Sequence, residues 1–559
     1  MKKQIWAALS FVAFCSMGVM AAETAPMPSE PGIPVTDALV KKKCGGCHQA
    51  DAQGNLTRIS WIRTTPEGWE QAVKRMVRLN GLTLKPEEAR QIVHYLATYH
   101  GLAPEEAKAV MYMAEHRMID ETVPPDMQGA CNTCHAIGQP ISWRRPKEEW
   151  DLLVKTHLGY FPVAEVTAFL RPPPSPDAEP KPNEDKRQPW EKAVDYLTKT
   201  YPLHTAEWDA YHSSIHPAKV EGRWLVKAYK PGTGPYYGEM TVTKGEADDE
   251  VVTSTKLVSS KDGSTIAYSG KAIVYAGFAW RGRSKSDSDP KELREVMMVA
   301  RDGQTAEGRW MWGGYQEFGF EVSMKRALPG PVLLGLNMAK LKAGSTETVD
   351  LYGQNFPASA KPDSIDFGTG VKVLKILESK PGHVKAEVEV AKNAVPGLRD
   401  VEAFGSVVPS SVAVYDHIDF VKVAPSWALS HLGGTIGPKG LVQFEAIAYA
   451  NGPDGKPNTP DDIILGPVQA KWSMQEFYAT YGDDDTKFVG NLDSVSGLFT
   501  PAGEGPSMER QDMRNNYGDV WVVAEIEGPK GKPISGRSYL VVTVPQYLRF
   551  DQPEVAPNP

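Results

Sequence analysis

Two pentapeptides constrain this chain more than any other feature: Cys44-Gly-Gly-Cys47-His48 and Cys131-Asn-Thr-Cys134-His135. Both read Cys-x-x-Cys-His. At that spacing each thiol can add to one vinyl group of a single porphyrin, and the next histidine is held beneath the iron. The chain has five cysteines in 559 residues, and the two motifs take four of them. A thioredoxin-like redox pair would account for one Cys-x-x-Cys but not for a histidine after both. We therefore read two covalently attached haems c, with Cys44, Cys47, Cys131 and Cys134 as tethers and His48 and His135 as proximal iron ligands.

The first residues agree with that chemistry. Met1–Ala22 carries Lys2 and Lys3, an apolar run from Ile5 to Met20, and the small pair Ala21 and Ala22. This is the pattern of a cleaved secretory signal. The apolar run falls short of the roughly 20 residues that span a bilayer. Large Phe14 before Cys15 disfavours a lipoprotein site. Cleavage removes Cys15 and two lysines, taking the formal charge from −8 to −10. No cysteine is then left for a structural disulfide. An acidic balance argues against nucleic acid and suits a basic partner. Covalent haem attachment takes place outside the cytoplasm, so a periplasmic location with no membrane span is expected.

The length implies several domains at roughly 100–200 residues each. After a Pro-rich lead-in (Pro26 to Pro34), a short helix is predicted from Leu39 to Cys47. A second covers 66–79 with Trp69, Val73, Met76 and Val77 on one face, and a third covers 86–100 with Ala89, Ile92, Val93 and Leu96 inward. Helix, haem site, helix and helix in about 65 residues make a small cytochrome. The pattern returns after the second motif with a helix from Pro146 to His157 and a closing helix at Trp190–Thr200, separated by the Pro-rich stretch Pro172–Pro189. Residues 101–122 are read as a connecting helix. The internal repeat places two cytochrome units in tandem, about 35–105 and 120–205, in a domain spanning 23–220.

Aligning Trp69 with Trp150 sets Met76 opposite His157, which proposes the distal ligands. Haem 1 would then be His/Met and haem 2 His/His, with Met raising the potential of the first. A core methionine is the plain alternative for Met76, and Met111, Met113 and Met118 are rivals. A surface histidine is the plain alternative for His157, and His204, His212 and His216 compete with it. His94 and His100 are read as ordinary helix residues.

From Glu221 the apolar period changes to two. Strands at 221–229, 238–244, 250–258, 264–277, 293–299, 305–311 and 316–325 predict a closed or nearly closed antiparallel β-barrel over 221–328. Its aromatic residues, among them Trp224, Tyr237, Phe278, Trp280 and Trp310, fit a core better than a ligand cavity. Residues 329–416 read as an immunoglobulin-like β-sandwich and 417–559 as a further β-rich sandwich domain. Asp454, Asn458, Asp461 and Asp462 lie close enough together to suggest calcium, but the loop lacks the EF-hand spacing and its closing glutamate. A solvated acidic turn is the simpler reading. Nothing in 221–559 forms a catalytic constellation.

Taken together, these features resemble the alpha subunit of quinohaemoprotein amine dehydrogenase across nearly the whole mature chain. The most specific stretches are Thr65-Pro-Glu-Gly-Trp-Glu through Met76-Val-Arg, and Gly101-Leu-Ala-Pro-Glu-Glu. The Pro172–Pro189 insertion is longer or differently composed than the resemblance leads one to expect. The resemblance implies a heterotrimer in which a β-propeller subunit and a small quinone-bearing subunit accompany this chain. It also implies that the quinone oxidises primary amines to aldehyde and ammonia, and that electrons reach a blue copper protein or a cytochrome c through the two haems. Two readings of other classes stand beside it: a standalone peroxidase-like dihaem enzyme, and a dihaem binding protein.

Overall fold

The computed structural model describes residues 28, 30–110, 124–127, 129–131, 137–171, 185–247, 249–312, 318–434, 439–477 and 484–544. The proposed signal segment, Cys134, His135, Met111, Met113, Met118 and most of the Pro-rich insertion lie outside the described residues.

The first third is helical. α1 (Ala38–Cys44) starts at Asp37, whose carboxylate accepts the Val40 N–H. It stops at Cys44, earlier than the periodicity predicts, and the motif continues as a turn in which the Cys44 carbonyl accepts from the Cys47 and His48 N–H groups. α2 (Pro66–Asn80) is capped by the Thr65 hydroxyl and closed by Gly81 in the left-handed region at φ 72°. Only glycine takes that conformation at little cost. Trp69 and Val73 are buried, but Val77 is 42 % exposed, so the buried face is narrower than the sequence pattern suggests. α3 (Pro86–Tyr99) and α4 (Pro104–Val110) complete the first unit. α5 (Gly138–Ile141), α6 (Lys147–Tyr160), α7 (Pro189–Thr200) and α8 (Ala206–Tyr211) belong to the second. The closing helices α3 and α7 begin alike, each with Pro first and a glutamate, Glu88 or Glu191, accepting the N–H of the residue before the helix.

A two-residue antiparallel pair joins the units. β1 (Arg63–Thr64) and β2 (Trp143–Arg144) meet with Arg63 opposite Arg144 and Thr64 opposite Trp143. In the repeat, Arg63 and Arg144 are equivalent, so the crossing behaves as a local two-fold axis between the cytochrome units.

The next eight strands close into an antiparallel barrel in sequence order. They are β3 (Gly222–Lys230), β4 (Gly234–Lys244), β5 (Glu250–Ser259), β6 (Thr265–Tyr275), β7 (Ala279–Ser286), β8 (Asp289–Val299), β9 (Thr305–Trp312) and β10 (Phe318–Arg326). Trp224, Trp280, Trp310 and Phe320 fill its interior with at most 1 % exposure, so these aromatics form the barrel core. Tyr237 and Phe278 do not join them. Tyr237 stacks on Tyr352 at 5.0 Å and donates to the Leu336 carbonyl at 2.8 Å, while Phe278 packs into the cytochrome core.

Beyond the barrel lie two four-stranded sheets. One runs Val332–Leu336, Thr346–Gln354, His383–Val390, Val371–Lys380; the other runs Lys340–Lys342, Ser406–Tyr415, Gly397–Ala403, Ile365–Asp366. Their inner faces share one apolar core around Val349, Phe367 and Val388. The last region has sheets of three, four and three strands packed around Phe444, Trp472, Phe499 and Val520. Among the described residues no helix is long and apolar enough to cross a membrane.

Candidate functional site

The proposed haem site of the first unit is assembled from α1, the turn after it and α2. Cys44 is half-buried against the cytochrome core, and Cys47 is exposed on the next turn. Neither thiol is in a disulfide. The His48 ring is half-buried, and its Nδ1 donates to the Thr57 carbonyl at 2.8 Å. Because a carbonyl only accepts, the ring proton sits on Nδ1, and Nε2 keeps its lone pair for a metal. Burial holds the ring below its ordinary pKa, partly offset by the Thr57 bond. Thiols and an oriented neutral imidazole are the donor set that a c-type haem requires.

Met76 lies one turn from the end of α2, half-buried. On the same helix Trp69 and Val73 are buried in the core. Its carbonyl accepts from the Gly81 and Leu82 N–H groups, so the Gly81 cap pins this turn.

In the second unit, Cys131 is a half-buried free thiol in the turn after Pro125–Met127, and desolvation of its sulfur pushes its pKa up to about 12. His157 is half-buried on α6 and repeats the His48 arrangement. Its Nδ1 donates to the Leu153 carbonyl at 2.9 Å, leaving Nε2 for a ligand role. Phe169 and Phe161 lie 5.7 and 6.4 Å from its ring. Of the rivals, His204 commits Nε2 to the Pro31 carbonyl at 2.7 Å, whereas His212 stacks on Trp208 at 5.5 Å and, like His157, gives its Nδ1–H to a carbonyl one turn back, that of Trp208 at 2.9 Å. His216 is tied only to the neighbouring Pro217 carbonyl.

Between the units sits a charged clasp that the sequence patterns did not expose. Arg63 grips both oxygens of Glu106 at 2.7 and 3.0 Å, and Arg144 reaches the same carboxylate at 3.1 Å. Thr205 and the Ala103 N–H complete the shell at 2.9 and 2.8 Å. Burial alone would raise the Glu106 pKa; the two guanidiniums outweigh it and hold it at about 2. Close by, His100 is fully buried between Trp69 and Tyr95, and neither ring nitrogen has a hydrogen-bond partner among the described residues. It is therefore not an ordinary helix residue. Burial, with Arg63 adding to it, lowers its pKa to about 3. The available signal was the repeat Ile59-Ser60-Trp61 and Ile141-Ser142-Trp143 ahead of the two arginines.

The acidic loop at 454–462 is laced by short-range hydrogen bonds, although Asp462 Oδ1 is buried with no partner among the described residues. Asp454 accepts from the Lys456 N–H, Asp461 from the Thr459 hydroxyl, and Asp462 from the Thr459 N–H. Among the described residues no three His, Cys, Asp or Glu side chains are grouped to hold a metal ion.

No curated protein matches the chain. Among solved structures, a redesigned β-barrel is 11 % identical over 20 % of this chain and 92 % of its own, with a TM-score of 0.18. The tandem Ig repeats of Dlar are 14 % identical over 39 % of this chain and 99 % of theirs, with a TM-score of 0.13. Likenesses at these scores carry no argument. The family profiles are different in kind. The haem-binding profile of quinohemoprotein amine dehydrogenase A, alpha subunit, matches residues 35–173. The profiles for alpha subunit domains II, III and IV match 217–327, 331–416 and 421–555. Four matches in family order, laid along a helical haem-binding region and the β-sheet regions behind it, lead to one conclusion: the chain belongs to the quinohemoprotein amine dehydrogenase alpha subunit family, as the haem-carrying, electron-relaying part of a multi-subunit oxidoreductase.

Proposed function

We propose that this chain carries two haems c, one tethered by Cys44 and Cys47 above His48, the other by Cys131 and Cys134 above His135, with Met76 and His157 as distal ligands. The observation that carries this reading is the oriented His48 imidazole at the end of the turn that holds the Cys44 and Cys47 thiols. His48 and His157 each give Nδ1–H to a backbone carbonyl and keep Nε2 available. When bound, haem supplies a one-electron couple that no side chain here provides. The chain's own residues hold it: the thiols tether it, Thr57 and Leu153 fix the imidazole tautomers, and the apolar core excludes water. A methionine on one iron and a histidine on the other would separate the two potentials.

The electrons would come from a small quinone-bearing subunit that oxidises primary amines to aldehyde and ammonia. A β-propeller subunit would complete the heterotrimer, and a blue copper protein or cytochrome c would accept the electrons. Export on a signal at 1–22 fits the periplasmic setting of the family. We infer domain limits at 23–220, 221–328, 329–416 and 417–559, with an immunoglobulin-like build for the third supported by its paired four-stranded sheets.

Purification from the periplasm tests the reading directly. Acid-extracted, denatured chain is expected to retain two porphyrins, and adding a primary amine to the complex is expected to reduce its haems. Fewer than two bound porphyrins per chain overturns the proposal. His157→Ala is expected to keep both porphyrins but alter the spectrum of one, and Met76→Ala to lower the potential of the other. A parent-like spectrum or redox titration removes the corresponding residue from the ligand set.

A further inference from the structure

A groove of about 830 Å³ opens where three parts of the chain converge: α4 of the cytochrome region, the outer wall of the barrel, and the paired sheets behind it. The barrel contributes β3, β10 and the turn between β8 and β9, while the strands Val332–Leu336 and Ser406–Tyr415 form the far wall. Cavities of roughly 300–1,000 Å³ at domain junctions have the size and place of small-ligand sites. None of the proposed haem tethers or ligands lines it.

Strand register fixes what the barrel shows to this groove. Lys227 lies opposite Ser323 and Leu225 opposite Lys325, so the four share the outward face of β3 and β10. Leu225 is covered there by Leu334 in a small apolar cluster, whereas Lys227 is exposed and Lys325 half-buried. Among the described residues neither lysine has a hydrogen bond or an ion pair. Glu307, which β9 sets beside Ser323, is instead bonded to Lys108 at 2.8 Å. Glu105 is the other carboxylate of the groove, and Arg301, over the Tyr211 ring at 4.8 Å, adds a further cation. Burial, with the charge of Lys227 adding to it, holds the Lys325 ammonium below its ordinary pKa. Like charges on adjacent strands repel, and an anion between them reverses that. The far wall facing them is apolar, with Leu334, Val407, Val408 and Pro409 along it and Val407 52 % exposed. Pro409 has no N–H to offer, so this wall is a poor template for an added peptide strand.

We propose that this groove binds a small amphipathic carboxylate, with its oxygens on the Lys227 and Lys325 ammonium groups and its hydrocarbon tail against the Leu334–Val407–Pro409 wall. Two accessible donors without acceptors suit a two-oxygen anion, and the apolar wall beside them suits a chain of methylenes. The inference does not rest on the dihaem reading above.

The test is isothermal titration of decanoate into the purified complex, with decanol and acetate as probes that keep only the tail or only the charge. Saturable binding of one decanoate per chain is expected, tighter than either control by about tenfold or more, the worth of one charge-assisted hydrogen bond. Lys227→Met and Lys325→Met are each expected to weaken decanoate binding by about tenfold on the same grounds. Lys325→Arg is expected to retain it, and Val407→Glu to weaken it by setting a carboxylate on the tail wall. Because neither lysine is paired, the Met variants are expected to melt with the parent, which separates loss of the site from loss of the fold. Should a Met variant melt early, Val407→Glu decides the matter. Decanol bound as tightly as decanoate, or variants that bind decanoate as the parent does, overturn the proposal. A groove already filled by a partner subunit gives no saturable binding to the complex and overturns it as well.

Discussion

Glu106 is the residue on which the join between the cytochrome units depends. Its carboxylate takes hydrogen bonds from both repeat-equivalent arginines, Thr205 and the Ala103 N–H. Glu106→Gln strands two buried guanidiniums and is expected to cost about 3–5 kcal/mol, the usual penalty for breaking a buried ion pair, measured as a lowered denaturant midpoint. Titration gives a second check. The Glu106 pKa falls from 4.5 unfolded to about 2 folded, so its stabilisation is present above pH 4.5 and drains away as pH drops toward 2. At about 1.4 kcal/mol per unit this amounts to roughly 3 kcal/mol. His100 acts earlier. Its folded pKa of about 3 lies below the ordinary 6.5, so the unfolded chain takes up the proton first and stability falls from pH 6.5 downward. Unfolding midpoints are therefore expected to decline below pH 6.5 and steepen below 4.5. His100→Leu should flatten the upper limb and Glu106→Gln the lower; slopes that the variants leave unchanged contradict the assignment.

At the scale of elements, the start of α2 lies in tight contact with β1. Gly68 allows it, because a Cβ there would run into Thr64, whose hydroxyl is already donated to the Ser142 carbonyl at 3.0 Å. Gly68→Ala is expected to cost about 1–3 kcal/mol through overpacking, despite the better helix propensity of alanine. A thermal melt at or above the parent midpoint would refute this account of the packing. Elements with a local signature were readable in the chain: Thr65-Pro66 before the apolar steps Trp69 and Val73, and the matched glutamates at Glu88 and Glu191. The strand Ala279–Ser286 was not. Its run Ala-Trp-Arg-Gly-Arg-Ser-Lys-Ser shows almost no apolar alternation, because Arg281 leaves the barrel to meet Glu67 on α2.

That contact belongs to the scale of the whole molecule. Glu67 and Arg281 are both buried in the seam between the cytochrome units and the barrel. Nearby, Arg90 pairs with Asp249 at 2.6 Å, and the barrel residues Ile273, Tyr275 and Phe278 enter the cytochrome core. The barrel and the haem-binding region are expected to unfold as one cooperative unit. Glu67→Gln leaves Arg281 without its carboxylate and is expected to split the calorimetric transition or lower its first component, whereas a single unshifted peak would show that the seam contributes little. Tyr237→Phe, at the opposite seam, is expected to cost about 1 kcal/mol for one lost hydrogen bond to Leu336, read as a small drop in the same midpoint.

The amino-acid sequence alone determined whatever depends on near neighbours: the Cys-x-x-Cys-His spacing, helix starts and stops, the change of period at Glu221, and the tandem repeat. Tertiary structure decided which distant groups meet. Arg63, Glu106 and Arg144 converge only because two short strands cross at equivalent residues, and Arg145 comes to lie over Trp143 and Trp150 with a Glu149 carboxylate 3.9 Å away that it shares with Arg58. The physical reason is that a charge cluster has no period along the chain; it exists once folding has removed the water between residues far apart in sequence.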